Sequence, residues 1–166
     1  TNDFVTIDEK SKPILATDIK KRENVFIRQN KTKQKLIAAN LDHIYFVISS
    51  KPQFCAETLI GMLASAVREK IPASIILNKT DLYTETKKIK KVLSSISPFK
   101  MCFKSDKNFE TAFLDDLNVK IIHSNTVSKT GMNNLKKAIA HDTKSKVTSS
   151  IGFAGQSGTG KSSIIN

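Results

Sequence analysis

Gly155-Gln156-Ser157-Gly158-Thr159-Gly160-Lys161-Ser162 decides how this chain is read, because it fits the phosphate-binding loop G-x-x-x-x-G-K-[ST] at every fixed position. The motif has a mechanism. Glycines let the backbone curl until successive N–H groups face phosphate oxygens, and the following helix adds the positive end of its dipole. Lys161 is expected to reach the β- and γ-phosphates and Ser162 to ligate Mg²⁺, with Ser163 completing the phosphate-binding set. The context fits: Ile151-Gly152-Phe153-Ala154 predicts a strand leading in, and Ser162-Ser163-Ile164-Ile165 a helix leading out. A Gly-rich surface turn is the bland alternative.

A phosphate loop names a nucleotide but not its base. Working outward, the base is read at Asn78-Lys79-Thr80-Asp81, which has the form N-K-x-D. A carboxylate accepts two hydrogen bonds side by side, and guanine offers N1–H and the N2 amine as adjacent donors where adenine has no such pair. Asp81 is placed to read that edge, and leaving those donors unpaired in a pocket costs about 1–3 kcal/mol per group. Lys79 is expected to lay its stem over the base and Asn78 to tie the loop to backbone. The tetrapeptide follows the apolar run Ile75-Ile76-Leu77, so it falls where a buried parallel strand meets its loop. Alone such a turn is common; joined to a phosphate loop it is specific.

Between the two lies Val127-Ser128-Lys129-Thr130-Gly131, similar to the guanine-contacting S-A-K segment of GTPases but differing at its first two positions. Ser128 could still serve through its backbone N–H, with Lys129 beside it. A strand-to-helix turn with a lysine at its tip is the other reading.

In an ordinary GTPase the phosphate loop precedes N-K-x-D; here it follows. That order implies a circularly permuted domain. With Leu36-Ile37-Ala38-Ala39-Asn40-Leu41-Asp42 ahead of the expected first strand, and Gly155-Gln156-Ser157-Gly158 opening the loop, the chain from about Ile14 onward resembles the RsgA (YjeQ) family of ribosome-assembly GTPases. The resemblance implies an oligonucleotide-binding (OB) β-barrel, a permuted GTPase domain and a C-terminal zinc domain. It further implies GTP hydrolysis in late maturation of the small ribosomal subunit, with GTP or GDP and Mg²⁺ as ligands. The implied partners are that subunit and its rRNA, met by a cytoplasmic monomer.

The expected architecture is therefore α/β: residues 1–38 as the incomplete tail of an OB-type barrel, and 39–166 as a permuted GTPase domain with a parallel sheet covered by helices. The chain opens on Thr1 and stops at Asn166, soon after Lys161, so a segment cut at both ends is expected. The switch segments of a permuted GTPase would follow the phosphate loop, next to the succeeding domain. No catalytic residue is assigned.

Composition agrees with a polyanionic partner. The net charge of +12 and pI near 9.7 favour RNA, since no basic amphipathic helix suits a membrane and no apolar run is long enough to span one. A lysine-rich surface with no partner is the plain alternative. Cys55 and Cys102 show no ligand spacing with each other or with His43, His123 and His141, so reduced thiols and no zinc site are expected here; any zinc ligands would lie beyond Asn166.

Strands are predicted at 4–8, 14–17 and 25–28, where Phe4 and Phe26 are either core residues or base-stacking groups. Further strands are expected at 43–49, 73–77 and 119–123. Helices are expected at 56–70, 85–96, 108–117 and 132–140, with a loop at 98–107 and a linker at 144–150. In the second helix Ile89, Val92, Leu93 and Ile96 should face inward, leaving Lys87, Lys88, Lys90 and Lys91 outward; in the last, Met132, Leu135 and Ile139 should face inward. Two other functions stay open: a P-loop ATPase in which N-K-T-D is a chance turn, and an RNA-binding module whose nucleotide is structural.

Overall fold

The computed structural model describes residues 2–29, 34–95, 101–106, 109–114, 119–143 and 149–166; of residues 29, 83, 94–95, 101–106, 109–114 and 129–130 it describes the backbone alone. Its centre is a six-stranded sheet built from β5 (His43–Ile48), β6 (Ala73–Leu77), β7 (Met101–Asp106), β8 (Phe109–Leu114), β9 (Val119–His123) and β10 (Ile151–Ala154). The spatial order is β10-β5-β6-β9-β8-β7. The first four strands in that order run parallel, and β8 and β7 extend the sheet antiparallel. Among the described residues four helices accompany it: α1 (Ala56–Arg68), α2 (Tyr83–Ser95), α3 (Lys129–Thr143) and α4 (Lys161–Ile165).

Alternation along the parallel strands divides the core into two layers. Ile44, Phe46 and Ile48 of β5, Ile75 and Leu77 of β6 and Ile121 of β9 pack with Leu59, Leu63 and Ala66 of α1 and Ile89 and Leu93 of α2. On the opposite face Tyr45, Val47, Ile76 and Ile122 meet Leu135 and Ala138 of α3 and Ile164 of α4. Strands with both faces buried read as continuous apolar runs, which is why His43–Ile48 and Ala73–Leu77 were recognisable. Each wholly buried Ile, Leu or Phe contributes about 1.5–3 kcal/mol relative to exposure.

Two antiparallel hairpins precede the sheet, β1 (Val5–Asp8) with β2 (Leu15–Ile19) and β3 (Val25–Gln29) with β4 (Gln34–Ala39). They form the small all-β part expected ahead of the GTPase fold. Phe26 is 4% exposed and meets Phe46 with ring centroids 5.9 Å apart, so it is a core residue; Phe4 is exposed. Ser65 Oγ donates to Ile27 O at 3.1 Å, joining the second hairpin to α1.

The junction between hairpins and sheet is a polar network. Asn40, in the left-handed region at φ 53°, is buried; its Oδ1 accepts from Glu23 N and its Nδ2 donates to Asn2 O. Asn24 brackets Leu41 by accepting its N–H and donating to its carbonyl, both at 2.9 Å. Asn2 Nδ2 reaches Ser150 Oγ at 2.9 Å, and Ser150 N–H donates to Asp42 Oδ2, so the start of the β10 strand is fastened to the same junction.

Several expectations change. The helix predicted at 108–117 is instead strand β8 over Phe109–Leu114, and the loop predicted at 98–107 contains strand β7; Asn108 and residues 115–117, like 98–100 and 107, lie outside the described residues. Six residues with two Phe and a Thr suit a strand as well as a helical turn, and pairing with β9 decides between them. The run Leu36–Ala39 belongs to strand β4, a pairing its sequence did not announce. In α2, Val92 is 40% exposed and Thr86 takes an inward position with Ile89 and Leu93; Ile96 lies outside the described residues. The linker predicted at 144–150 falls mostly outside them as well.

Candidate nucleotide site

All four parallel strands end on one edge, and every motif read from the sequence leaves from that edge. β10 runs into Gly155, β5 into Ser49, β6 into Asn78 and β9 into Ser124. This carboxyl edge is where open α/β sheets bind ligands.

The phosphate loop is built by close approach. A Cβ at Gly155 would strike the Val47 carbonyl oxygen, and one at Gly160 would strike Asn78 Nδ2; Gly160 also has φ 96°, immediately before α4. Gln156, Ser157 and Gly158 form the exposed crest, while Thr159 is buried with its Oγ1 donating to Gln156 O at 2.9 Å. Lys161 Nζ donates to Gly155 O at 2.9 Å and Gln156 O at 2.7 Å. Ser162 and Ser163 are exposed in the first turn of α4.

The N-K-T-D loop is fastened to the phosphate loop by two side chains. Asn78, fully buried, donates Nδ2 to Thr159 O at 3.0 Å. Lys79 Nζ donates to Gly158 O at 2.8 Å and to Lys51 O at 2.7 Å. Lys79 has φ 59°, and its carbonyl accepts Leu82 N–H at 3.0 Å, a tight turn that leaves Asp81 exposed. Two lysine ammonium groups thus lie on three carbonyls of the phosphate loop, which gives this edge the positive potential an anion needs.

The third segment follows β9 toward α3. Thr80 Oγ1 donates to Ser124 O at 3.0 Å, and Ser124 N–H donates to Leu77 O at 2.9 Å, so Ser124, just after β9, is bonded to the N-K-T-D loop and the strand before it. Asn125 Oδ1 accepts Val127 N–H at 2.8 Å, and a Cβ at Gly131 would come 2.7 Å from Asn125 backbone atoms. Ser128 Oγ accepts Gly131 N–H at 3.1 Å, capping α3. Lys129 opens that helix; its side chain lies outside the described residues. Ser124 and Asn125 join Ser128 and Lys129 in this segment, and the signal that marks them is the end of β9 at His123.

Asn78 Oδ1 and Ser124 Oγ are buried with no hydrogen-bond partner among the described residues. Orphaned polar atoms at a strand edge, beside a cradle that admits no Cβ, fit a ligand with both donors and acceptors. For a metal, the exposed Ser162 hydroxyl beside the cradle fits a cation held jointly with phosphate oxygens. Among the described residues no cluster of three His, Cys, Asp or Glu could hold a metal ion by itself. Cys55 is a free thiol, and the Cys102 side chain lies outside the described residues. Among them, too, no helix is long and apolar enough to cross a membrane.

A second polar cluster occupies the opposite end of the sheet. Tyr45 OH donates to Asp142 Oδ2 at 2.8 Å, with Lys120 Nζ 3.9 Å from Oδ1, and His43 Nε2 lies 3.0 Å from Ser74 Oγ. Burial, then the Asp142 contact, pushes the Tyr45 phenol well above its ordinary range. Burial lowers the His43 pKa, against the pull of Asp142.

A parallel sheet with a phosphate loop on its last strand and N-K-T-D on an earlier one is a circularly permuted P-loop GTPase fold. The family model described as RsgA GTPase matches residues 19–112, and the chain belongs to that family. A relative from Hahella chejuensis, named small ribosomal subunit biogenesis GTPase RsgA, is 33% identical over 145 residues, covering 87% of this chain and 35% of the relative. Two solved structures share the fold: YjeQ from Thermotoga maritima, at TM-score 0.64 and 19% identity, and YloQ, titled a circularly permuted GTPase, at 0.59 and 24%. They cover 99% and 97% of this chain, which spans 49% and 47% of theirs.

Proposed function

We propose that this chain carries the guanine-nucleotide site of a GTP-hydrolysing factor that acts in maturation of the small ribosomal subunit. One observation carries the reading: Asn78 and Lys79 are bonded to Thr159 and Gly158, so a guanine-reading loop and a phosphate loop of reversed chain order form one site. Gly155 to Gly160 cradle the phosphates. Lys161 exchanges its two loop carbonyls for β- and γ-phosphate oxygens. Ser162 holds Mg²⁺, which neutralises phosphate charge when bound, and Ser163 completes the turn. Asp81 pairs with the guanine N1–H and N2 amine, while the stem of Lys79 covers the ring. Ser128 and Lys129 stay with the base side of the site, joined by Ser124, which accepts from Thr80, and by Asn125, which accepts from Val127.

The ribosomal role rests on family membership and on the name of the relative, and the net charge of +12 supports a contact with rRNA. In this reading residues 1–38 are the tail of an OB-type unit and 39–166 the GTPase domain, in a cytoplasmic monomer whose zinc ligands lie outside this segment. The test is calorimetric titration with GDP and then ADP in Mg²⁺. Saturable GDP binding without ADP heat supports one guanine site; equal binding of both returns the chain to the ATPase reading. Turnover stimulated by small ribosomal subunits then tests the partner and separates an enzyme from an RNA-binding module.

A further inference from the structure

We propose that Ser49 is a positioning residue of the nucleotide site, acting through the Lys51 carbonyl on Lys79; the inference rests on the guanine-site reading above. After β5 ends at Ile48 the chain turns through Ser49, Ser50, Lys51 and Pro52 toward α1. Ser49 is 1% exposed, and its hydroxyl donates to Lys51 O at 2.8 Å. The same carbonyl accepts the Lys79 ammonium at 2.7 Å. A carbonyl has two lone-pair sites, so both donors are accommodated at once. The turn also stands against the crest of the phosphate loop: a Cβ on Gly158 would lie 3.3 Å from Pro52 Cδ.

Lys79 is consequently held at both ends. Its backbone is fixed by the turn to Leu82, and its ammonium spans Lys51 O and Gly158 O. Its aliphatic stem becomes a bar between the 49–52 turn and the phosphate loop, two residues from Asp81. A lysine stem is costly to immobilise, about 1.5–2 kcal/mol in rotamer freedom, so an acceptor already oriented by a buried hydroxyl lowers what the nucleotide must supply. The Ser49 hydroxyl is given to Lys51 O, and Ser49 is assigned no direct contact with the nucleotide. Its effect is transmitted by one carbonyl.

The test uses Ser49→Ala and Ser49→Thr in the intact protein, with two readouts. In nucleotide-free protein, acetylation of individual lysine amines is followed by mass spectrometry. Lys79 should label about 3- to 10-fold faster in Ser49→Ala, as expected for one lost hydrogen bond, while Lys161 labels at the wild-type rate. GDP affinity should fall by a similar factor, about 3- to 10-fold, and Ser49→Thr, which keeps the hydroxyl, should behave as wild type in both. Lys79→Met gives an independent check, since it keeps the stem without the ammonium and should also weaken GDP binding. Unchanged Lys79 labelling in Ser49→Ala, or wild-type GDP affinity in either Ser49→Ala or Lys79→Met, overturns the proposal. Wild-type protein that binds no GDP would instead overturn the function proposed above, because the labelling readout needs no nucleotide.

Discussion

Asn78 donates its side-chain amide to the carbonyl of Thr159 at 3.0 Å, and both residues are buried. This bond joins the loop after β6 to the loop after β10, strands that do not pair with each other. Replacing Asn78 with Ala leaves the Thr159 carbonyl unsatisfied. We expect a loss of about 1–3 kcal/mol in stability, read by thermal or urea unfolding, with GDP affinity falling as well. Unfolding unchanged from wild type would show the bond to be dispensable.

Gly160→Ala should be more damaging than its one methyl group suggests. The new Cβ meets the Asn78 amide, and φ 96° is unfavourable for any side chain. A drop in unfolding free energy of about 1–3 kcal/mol, together with loss of nucleotide binding, is expected. A fully stable, GDP-binding variant would contradict the close approach of the two loops.

Lys161→Ala removes the ammonium that now rests on Gly155 O and Gln156 O. Charge-assisted hydrogen bonds are worth about 1.5–3 kcal/mol, so GDP and GTP should bind about 10- to 100-fold more weakly. Titration calorimetry reads this directly, and wild-type affinity would remove Lys161 from the phosphate site.

Asp81→Asn should move base preference from guanine toward xanthine, whose C2 carbonyl accepts a hydrogen bond that the new amide can donate. Competition between GDP and XDP for a fluorescent nucleotide measures the change. An unaltered preference would deny Asp81 the role of base reader.

The His43 pKa is lowered by burial, so the folded state favours the neutral ring. The unfolded chain binds the proton more readily near its ordinary value of 6.5, and the stability due to His43 is therefore complete above that pH and lost as pH falls toward the lowered folded value. Unfolding free energy measured from pH 8 to 5 should decline through this window, and His43→Gln should flatten the decline. Identical pH profiles for the two proteins would mean that other groups carry the acid sensitivity.

The parts of this molecule that were legible in the sequence are those whose chemistry is local. Glycines at 155, 158 and 160 announce a curled loop, and the apolar runs before Asn78 and Gly155 announce buried parallel strands. What stayed hidden depends on pairing. Phe109–Leu114 became a strand because β9 offers it an edge, and Leu36–Ala39 because β3 does. Val92 satisfies the helical spacing yet faces outward, since among the described residues the buried positions of this helix are Thr86, Ile89 and Leu93. In the site, Ser128 is legible from its place in V-S-K-T-G, while the contact of Ser124 with Thr80 is not, because it depends on where β9 stops.

The Asn78–Thr159 bond spans 81 residues of chain, and that separation bears on how the site comes into being. During synthesis the N-K-T-D loop leaves the ribosome well before residues 155–162 are made, at about 5–20 residues per second. Until then the carboxyl end of β6 lacks the partner that seals it, and β5 lacks β10 on its outer edge. Contacts this distant in sequence close late, after local hairpins and helices have formed. A site shared by these two loops therefore waits for both to be made, and its formation reports that the loop after β6 and the loop after β10 have found each other.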